Sequence, residues 1–523
     1  MHFTEVFIRL ESKASALACR SKAEALDSRG PAPRLAAAMT KASGRHRLMR
    51  TLALGAAILT AACNLGPDYV RPSAQVPAAY KSDANWKPAT PQDQAPRGPW
   101  WEVFGDPPLT ALLVQVEVSN QDLAAAAAKL REAQTLVQQA RAGLFPSLSG
   151  SASVIRSQST IGSGSVPVSV GRRAPETTEN IGLSLPWELD LWGKVARQVE
   201  SSRASAQASA ADLESVRLSA QATLAQDYFL LRVLDAQQRL LNETVAAYER
   251  ALTITQNRYA AGVVAQVDVA LAQAQLKTTQ AQAIDLGVRR AQLEHAIAVL
   301  IGRPPTDLAL APADPPASLP VIPAGLPSTL LERRPDIASA ERRVAAANAQ
   351  IGVARAAYFP TLSLSATLGY QSTDFSKLLS AGTRYWSVGP TLAGPLFDAG
   401  LRRAQSAQTV AAYDASVAAY RQSVLVALRE VEDNLSALHI LAQEALAQEA
   451  AVEASRRAAQ LSLNQYKAGT VSYLNVVTAQ AAQLANARTA LDILGRRLTA
   501  SVGLIKALGG GWQGASASPA ARR

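Results

Sequence analysis

Residues 356–371 read Ala356-Ala357-Tyr358-Phe359-Pro360-Thr361-Leu362-Ser363-Leu364-Ser365-Ala366-Thr367-Leu368-Gly369-Tyr370-Gln371. Past Pro360, Leu362, Leu364, Ala366, Leu368 and Tyr370 alternate with Ser363, Ser365, Thr367, Gly369 and Gln371. A period of two places the first set on one face of a strand and the second on the other. The start of the stretch also occurs 214 positions earlier, as Ala142-Gly143-Leu144-Phe145-Pro146-Ser147-Leu148-Ser149. An amphipathic strand and a second copy of its surroundings are the two facts from which the fold follows.

The duplication extends in both directions. Asp122-Leu123 aligns with Asp336-Ile337, Pro186 to Asp190 with Pro395 to Asp398, and Asn257-Arg258-Tyr259-Ala260-Ala261-Gly262 with Asn464-Gln465-Tyr466-Lys467-Ala468-Gly469. A collinear order with slow drift marks an internal repeat. Each copy reads helix, strand, loop, strand, very long helix, turn, helix. Repeat 1 covers 106–301, with strands at about 146–158 and 179–191 and a turn at about 258–267. Repeat 2 covers 326–508, with strands at about 360–372 and 384–397 and a turn at about 466–473. Leu183, Leu185, Trp187, Leu189 and Leu191 show the alternation clearly, whereas 147–154 and 387–397 carry it weakly. From Lys194 to Asn257, and from Leu401 to Gln465, there is neither proline nor glycine. At ~1.5 Å per residue each segment makes a helix of roughly 95 Å. Return helices follow at Val267 to Leu300 and Leu474 to Leu508. Small residues such as Ala204, Ala206, Ala208, Ala210 and Ala211 let neighbouring helices approach closely.

Strands of ~10 residues with one apolar and one polar face suit a barrel in lipid, although alternation alone also permits a half-buried sheet in a soluble domain. Four strands cannot close, because the smallest barrels have about eight and an open edge is untenable in hydrocarbon. Several protomers must then share one barrel, and three copies give twelve strands. Helix length alone permits a coiled-coil rod; joined to barrel strands, the helices continue the barrel as a tube. The expected fold class is an internally duplicated α+β membrane protein, a shared transmembrane β-barrel continued by a long α-helical barrel.

Composition narrows the function. The chain has 523 residues and a formal charge of +11, but residues 1–62 hold ten Lys/Arg against four Asp/Glu, a surplus of +6. The remaining surplus forms no basic stripe, which argues against nucleic acid as a partner. The two cysteines are Cys19 and Cys63, so no disulfide framework or thiolate metal site exists beyond Cys63. His2, His46, His295 and His439 lack companions at ligand spacing. With no cysteine nucleophile, clustered histidines or phosphate-cradling glycine loop, an enzyme is not expected.

Arg45-His46-Arg47 and Arg50 precede an apolar run from Leu52 to Leu59 and the small residues of Leu59-Thr60-Ala61-Ala62-Cys63. This is the pattern of a secretory signal, with a run shorter than the ~20 residues of a spanning helix. Residues 1–62 are therefore read as a leader, which has ordinary length if translation starts at Met39 or Met49. The plainer alternative is an ordinary signal peptide with an incidental cysteine. The residues before Cys63 resemble a bacterial lipobox, which implies a diacylglycerol and an N-acyl chain on Cys63 and no other cofactor. Asn64 in place of aspartate implies outer-membrane sorting.

Further marks are Gly66-Pro67-Asp68-Tyr69, Trp100-Trp101 with Phe104 and Asp106-Pro107, Arg334-Pro335-Asp336-Ile337 with Ala340-Glu341, and Lys506-Ala507-Leu508-Gly509-Gly510-Gly511-Trp512. Together with the duplication they resemble the TolC-like outer membrane factors, in the efflux-pump lipoprotein branch related to OprM and NodT. The resemblance implies a homotrimer in the outer membrane of a Gram-negative bacterium, with a twelve-helix periplasmic tunnel. It places 63–105 in a lipidated N-terminal and equatorial segment, 302–325 in an equatorial linker, and 509–523 in a tail. The implied partners are a periplasmic adaptor (membrane fusion protein), an inner-membrane proton-driven transporter of the RND type, and outer-membrane lipid. The implied function is passive exit of small molecules such as drugs and toxic compounds; the alternative is the channel of a type I protein secretion system.

Under the same resemblance the two helix turns form a periplasmic aperture. Tyr466 matches the gate tyrosine, Tyr259 is its counterpart in repeat 1, and Asp268 matches an acidic gate residue. Gly262 and Gly469 match the turn glycines that dock the adaptor. The family's gate arginine is here Val471, and the following acidic positions are Asn475 and Thr478. Closure is accordingly expected to rest on packing and hydrogen bonds of Tyr466, Tyr473 and Asn475. The plainer readings are interhelical packing for Tyr259 and Tyr466 and a helix N-cap for Asp268.

Overall fold

A computed structural model describes residues 65–74, 99–158, 174–316, 319–320, 322 and 333–510. The leader, Cys63 and residues 511–523 lie outside the described residues. The chain divides into Met1–Ala61 and Ala62–Arg523, and every element described belongs to the second unit.

Asp106 and Asn120 begin the folded order as N-caps. Their side chains accept hydrogen bonds from the amides of Leu109 and Leu123, starting α1 (Pro107–Ser119) and α2 (Gln121–Ala142). Then come β1 (Ser149–Ser157), β2 (Glu176–Leu189), α3 (Lys194–Ala260) and α4 (Gln266–Leu300). The second copy supplies α5 (Pro335–Ala356), β3 (Thr361–Ser372), β4 (Arg384–Ala393), α6 (Leu401–Lys467) and α7 (Tyr473–Ala507). Corresponding helices have equal lengths: 22 residues in α2 and α5, 67 in α3 and α6, 35 in α4 and α7. The duplication is thus structural.

Several boundaries differ from expectation. β4 stops at Ala393, because Pro395 has no amide to donate and Gly394 lies against Pro360. β1 starts at Ser149, after a turn in which the amides of Leu144 and Phe145 bond back to the end of α2. β2 starts three residues early, at Glu176. Both long helices run on through Tyr259 and Tyr466, so the turns shrink to 261–265 and 468–472.

The sheet is antiparallel in the order β1-β2-β3-β4. Its register puts Ala152 beside Ile181, Ile181 beside Tyr370, and Leu368 beside Leu183 and Trp386. Every large apolar side chain from Leu362 to Tyr370 therefore shares one face. The other face carries hydroxyls, joined across strands in the pairs Ser149–Ser184 (2.7 Å) and Thr367–Ser387 (2.6 Å). Among the described residues nothing pairs with the outer edges of β1 or β4. No described helix is long and apolar enough to cross a membrane.

A seam that the sequence pattern alone did not reveal holds the long helices. In α3 the buried positions Ser201, Ala204, Ala208, Ala211, Leu218, Ala222 and Ala225 follow a seven-residue period. In α6 the same period links Tyr420, Val424, Ala427, Val431, Leu441, Ala445, Ala459 and Tyr466. A 3.5-residue repeat keeps one stripe facing a neighbour only if the helices coil left-handedly.

Midway along α3 lies the main core. Trp100, Trp101 and Phe104 form a short turn that packs, with Leu109 and Leu113 of α1, on Leu224 and Phe229 of α3 and Ile297 of α4. Trp100 Nε1 donates to Gln221 at 3.2 Å, and the Tyr228 hydroxyl donates to Asp106 at 2.9 Å. Burial pushes the Tyr228 phenol up to about 12. Asp235, almost wholly buried, receives Arg232 at 3.0 Å and Arg290 at 2.8 Å. Arg232 also donates to the carbonyl of Ala311, and the amide of Ala313 donates to Asp235. A charge cluster thereby clamps the linker after α4 onto the middle of the helices.

The segment after Cys63 is also docked. A Cβ on Gly352 of α5 would stand 2.7 Å from the Leu65 carbonyl, so only glycine admits that approach. Asn348 donates to the Pro67 carbonyl at 3.0 Å, and Tyr69 donates to Glu341 at 3.1 Å. The segment thus runs antiparallel to α5, starting near the end that leads into β3.

Replacing Asp235 with alanine leaves Arg232 buried without its carboxylate, for which we expect a loss of about 3–5 kcal/mol. Tryptophan fluorescence during urea unfolding of the detergent-solubilised protein measures it. An unchanged midpoint would show that the cluster contributes nothing to stability.

Candidate functional site

The helix tips carry most of the residues singled out from the sequence. α3 leads from the sheet to its turn over ~100 Å, so the tips stand at the far end of the helices. Both turns are built alike. The amide of Val263 bonds to the Arg258 carbonyl and that of Gly262 to Tyr259; Thr470 bonds to Gln465 and Gly469 to Tyr466 in the same way. This double closure needs a left-handed residue just past the helix, and Gly262 (φ 72°) and Gly469 (φ 79°) supply it.

Tyr466 and Tyr473 meet edge to face, with centroids 5.1 Å apart, inside a cluster with Ala272 and Val476. They are 2% and 1% exposed, so their rings pack between the two hairpins of one protomer and not at its surface. Tyr259 and Asn475 lie exposed, outside that cluster. Asp268 occupies the third position of α4, not the N-cap, which is Ala265; an acid there still complements the helix dipole. Burial, then the hydroxyls of Tyr466 and Tyr248 and the carboxylate of Asp268, push the Tyr473 phenol up to about 12.

Sequence reasoning passed over Arg258, which ties this site together. Its guanidinium donates to the carbonyls of Tyr466 and Lys467 at the end of α6 and lies 4.7 Å above the Tyr466 ring. The Tyr466 hydroxyl reaches back to Thr255 of α3 at 3.4 Å. One arginine on the first hairpin thus caps the long helix of the second, where cations are favoured. The available signal was a difference between the copies: Arg258 corresponds to Gln465.

A sequence profile described as outer membrane efflux protein matches residues 112–303 and 326–510, one span for each repeat. The solvent efflux pump outer membrane protein SrpC of Pseudomonas putida is 33% identical over 477 residues, 88% of this chain and 98% of that one. The pyoverdine export outer membrane protein OpmQ of Pseudomonas aeruginosa is 34% identical over 470 residues, 89% of this chain and 98% of its own. The solved outer-membrane channel OprN superposes with a TM-score of 0.78 at 34% identity, covering 86% of this chain and 100% of that one.

We expect Arg258→Ala to loosen the tip by about 1.5–3 kcal/mol, the range for hydrogen bonds to a charged group. Faster amide hydrogen exchange around 463–477 is the readout, and unchanged exchange would exclude the clamp. Tyr473 has its phenol raised from 10.0 to about 12, so its neutral form is the one that stabilises the fold. That contribution is fully present below pH 10 and lost as pH rises towards 12. In an alkaline absorbance titration, Tyr473→Phe should remove one late-ionising tyrosinate; loss of one ionising near 10 would contradict the burial.

Proposed function

The chain belongs to the outer membrane efflux protein family, and from that premise we propose that three copies close one barrel and one tunnel. It is an outer-membrane channel component of an efflux pump, with the TolC-like fold of the OprM and NodT branch. One observation carries the proposal of shared closure: a four-stranded sheet with one apolar face, one hydroxyl face and, among the described residues, two unpaired edges. Strands of 9 to 14 residues are long enough to cross hydrocarbon, and joining β4 of one copy to β1 of the next satisfies every edge. The apolar faces then meet lipid and the hydroxyl faces line the passage.

The chain passes small organic molecules passively, as the naming of its solvent- and pyoverdine-exporting relatives supports. It receives them from a proton-driven inner-membrane transporter through a periplasmic adaptor. The adaptor docks on the turns at Gly262 and Gly469, where the backbone reverses. The aperture between the tips is narrowed by the exposed Tyr259 and Asn475 and the half-buried Asp268, while buried Tyr466 and Tyr473 hold each protomer's two hairpins together. Cys63, outside the described residues, carries the lipid, which anchors the chain in the outer membrane; the described segment that follows it starts at Leu65, docked at the sheet end of α5.

The native mass in detergent should be three times that of the protomer, and a monomeric or dimeric mass would refute shared closure. Cys63→Ser should abolish metabolic palmitate labelling, whereas persistent labelling would place the acyl chain elsewhere. Replacing Asp268 and Tyr466 with alanine should raise single-channel current in planar bilayers; an unchanged current would exclude them from the gate.

A further inference from the structure

The hydroxyl face of the sheet holds one aromatic side chain among its described residues, Tyr385, the second residue of β4. It lies at the end of the sheet remote from the helices. Tyr385 is paired with Gly369, and Gly369 with Gly182, so two strands in succession offer no side chain beside it. The ring uses that space. A Cβ on Gly369 would stand 2.7 Å from the Tyr385 hydroxyl and 2.8 Å from its Cζ; one on Gly182 would stand 2.9 Å from the hydroxyl. The phenol donates to Asn180 Oδ1 at 3.2 Å, beyond the second glycine. The ring therefore lies flat across β3 and reaches β2, where a standing tyrosine would project from the wall. Towards the helices its neighbours on this face are short hydroxyls, Ser184, Thr367 and Ser387 among them, while Asn180 and Gln371 flank it on the outer side and Ile155 of β1 shares the face.

We propose that Gly182 and Gly369 form a slot that keeps Tyr385 out of the passage, making this tyrosine the residue that sets the bore of the outer barrel. The proposal rests on the reading of the hydroxyl face as the lumen and adds a determinant of solute size within it. In a trimer three such rings lie at one level, so ejecting them from their slots narrows the same cross-section three times. Flat rings admit bulky solutes; raised rings pass only small ones. Glycine covered by an aromatic ring also stabilises a sheet, so the test must read solute size and not stability.

Ser365 lies on the same face, four residues from Gly369 towards the helices, or ~13 Å deeper at ~3.3 Å per residue. A Ser365→Cys protein in intact cells is treated from outside with a small maleimide and with one attached to a bulky polyethylene glycol. The protein without that cysteine supplies the background. The small reagent should label every variant alike. The bulky one should label Ser365→Cys, label it more slowly when Gly182→Ala is added, and recover its rate when Tyr385→Ala is added as well. Asn180→Ala, which removes the phenol's acceptor, should slow bulky labelling too and serves if Gly182→Ala does not assemble. Bulky labelling unaffected by Gly182→Ala and Asn180→Ala, or slowing that persists without Tyr385, overturns the proposal. If the small reagent cannot reach Cys at 365, the luminal reading itself fails, a result distinct from any size effect.

Discussion

Two rows of backbone groups without partners among the described residues, on the outer edges of β1 and β4, constrain everything else in this protein. In water such edges are an aggregation hazard; in hydrocarbon each unpaired group costs several kcal/mol. A four-stranded sheet with an apolar face cannot remedy this within one chain. The demand for edge partners turns an internal duplication into an assembly, and the symmetry of the barrel is passed down the helices attached to it.

Those helices meet a different difficulty. An isolated helix of 67 residues has little tertiary support along most of its length. Here the support comes from a narrow seam, small residues in α3 and larger ones in α6, repeating every seven residues. Small residues bring backbones close and give many weak contacts for little apolar area, which fits a composition of 48% hydrophobic but only 5% aromatic residues. The few large side chains are concentrated where register must be set: tryptophans and a buried charge cluster midway along the helices, tyrosines at the tips. At both levels the same device recurs, a side chain closing the carbonyl end of a helix. Asn120 reaches the Leu300 carbonyl, Arg334 reaches that of Ala507, and Arg258 reaches that of Tyr466.

The two repeats have equivalent backbones and unequal tips. Gly262 and Gly469 close their turns by the same two hydrogen bonds, yet Arg258 has no cationic counterpart and Asp268 corresponds to an asparagine in the other copy. The second hairpin carries the exposed Asn475 and the buried tyrosine pair, and the first supplies the clamp. The tip contacts belong to a single small cluster, built from residues of both hairpins. Along the wall of the outer barrel the two glycines beside Tyr385 play a comparable local part, giving a large side chain somewhere to lie.

Element order, helix lengths and the apolar face of the sheet were all legible from residue order, because periods of two and 3.6 and the positions of proline and glycine are local properties. The duplication was legible for the same reason, as was the need for other copies to close the sheet. The side chains that meet were not. Tyr466 was recognised from its motif, but its burial against Tyr473 and beneath Arg258 depends on two hairpins packing some 200 residues apart in sequence. The flat ring of Tyr385 needed the register of three strands, which puts Gly369 and Gly182 in one row. A residue's own neighbours in the chain determine its secondary structure; what covers it depends on which distant segment is brought alongside, and that is decided only when the long helices and the sheet have found their register.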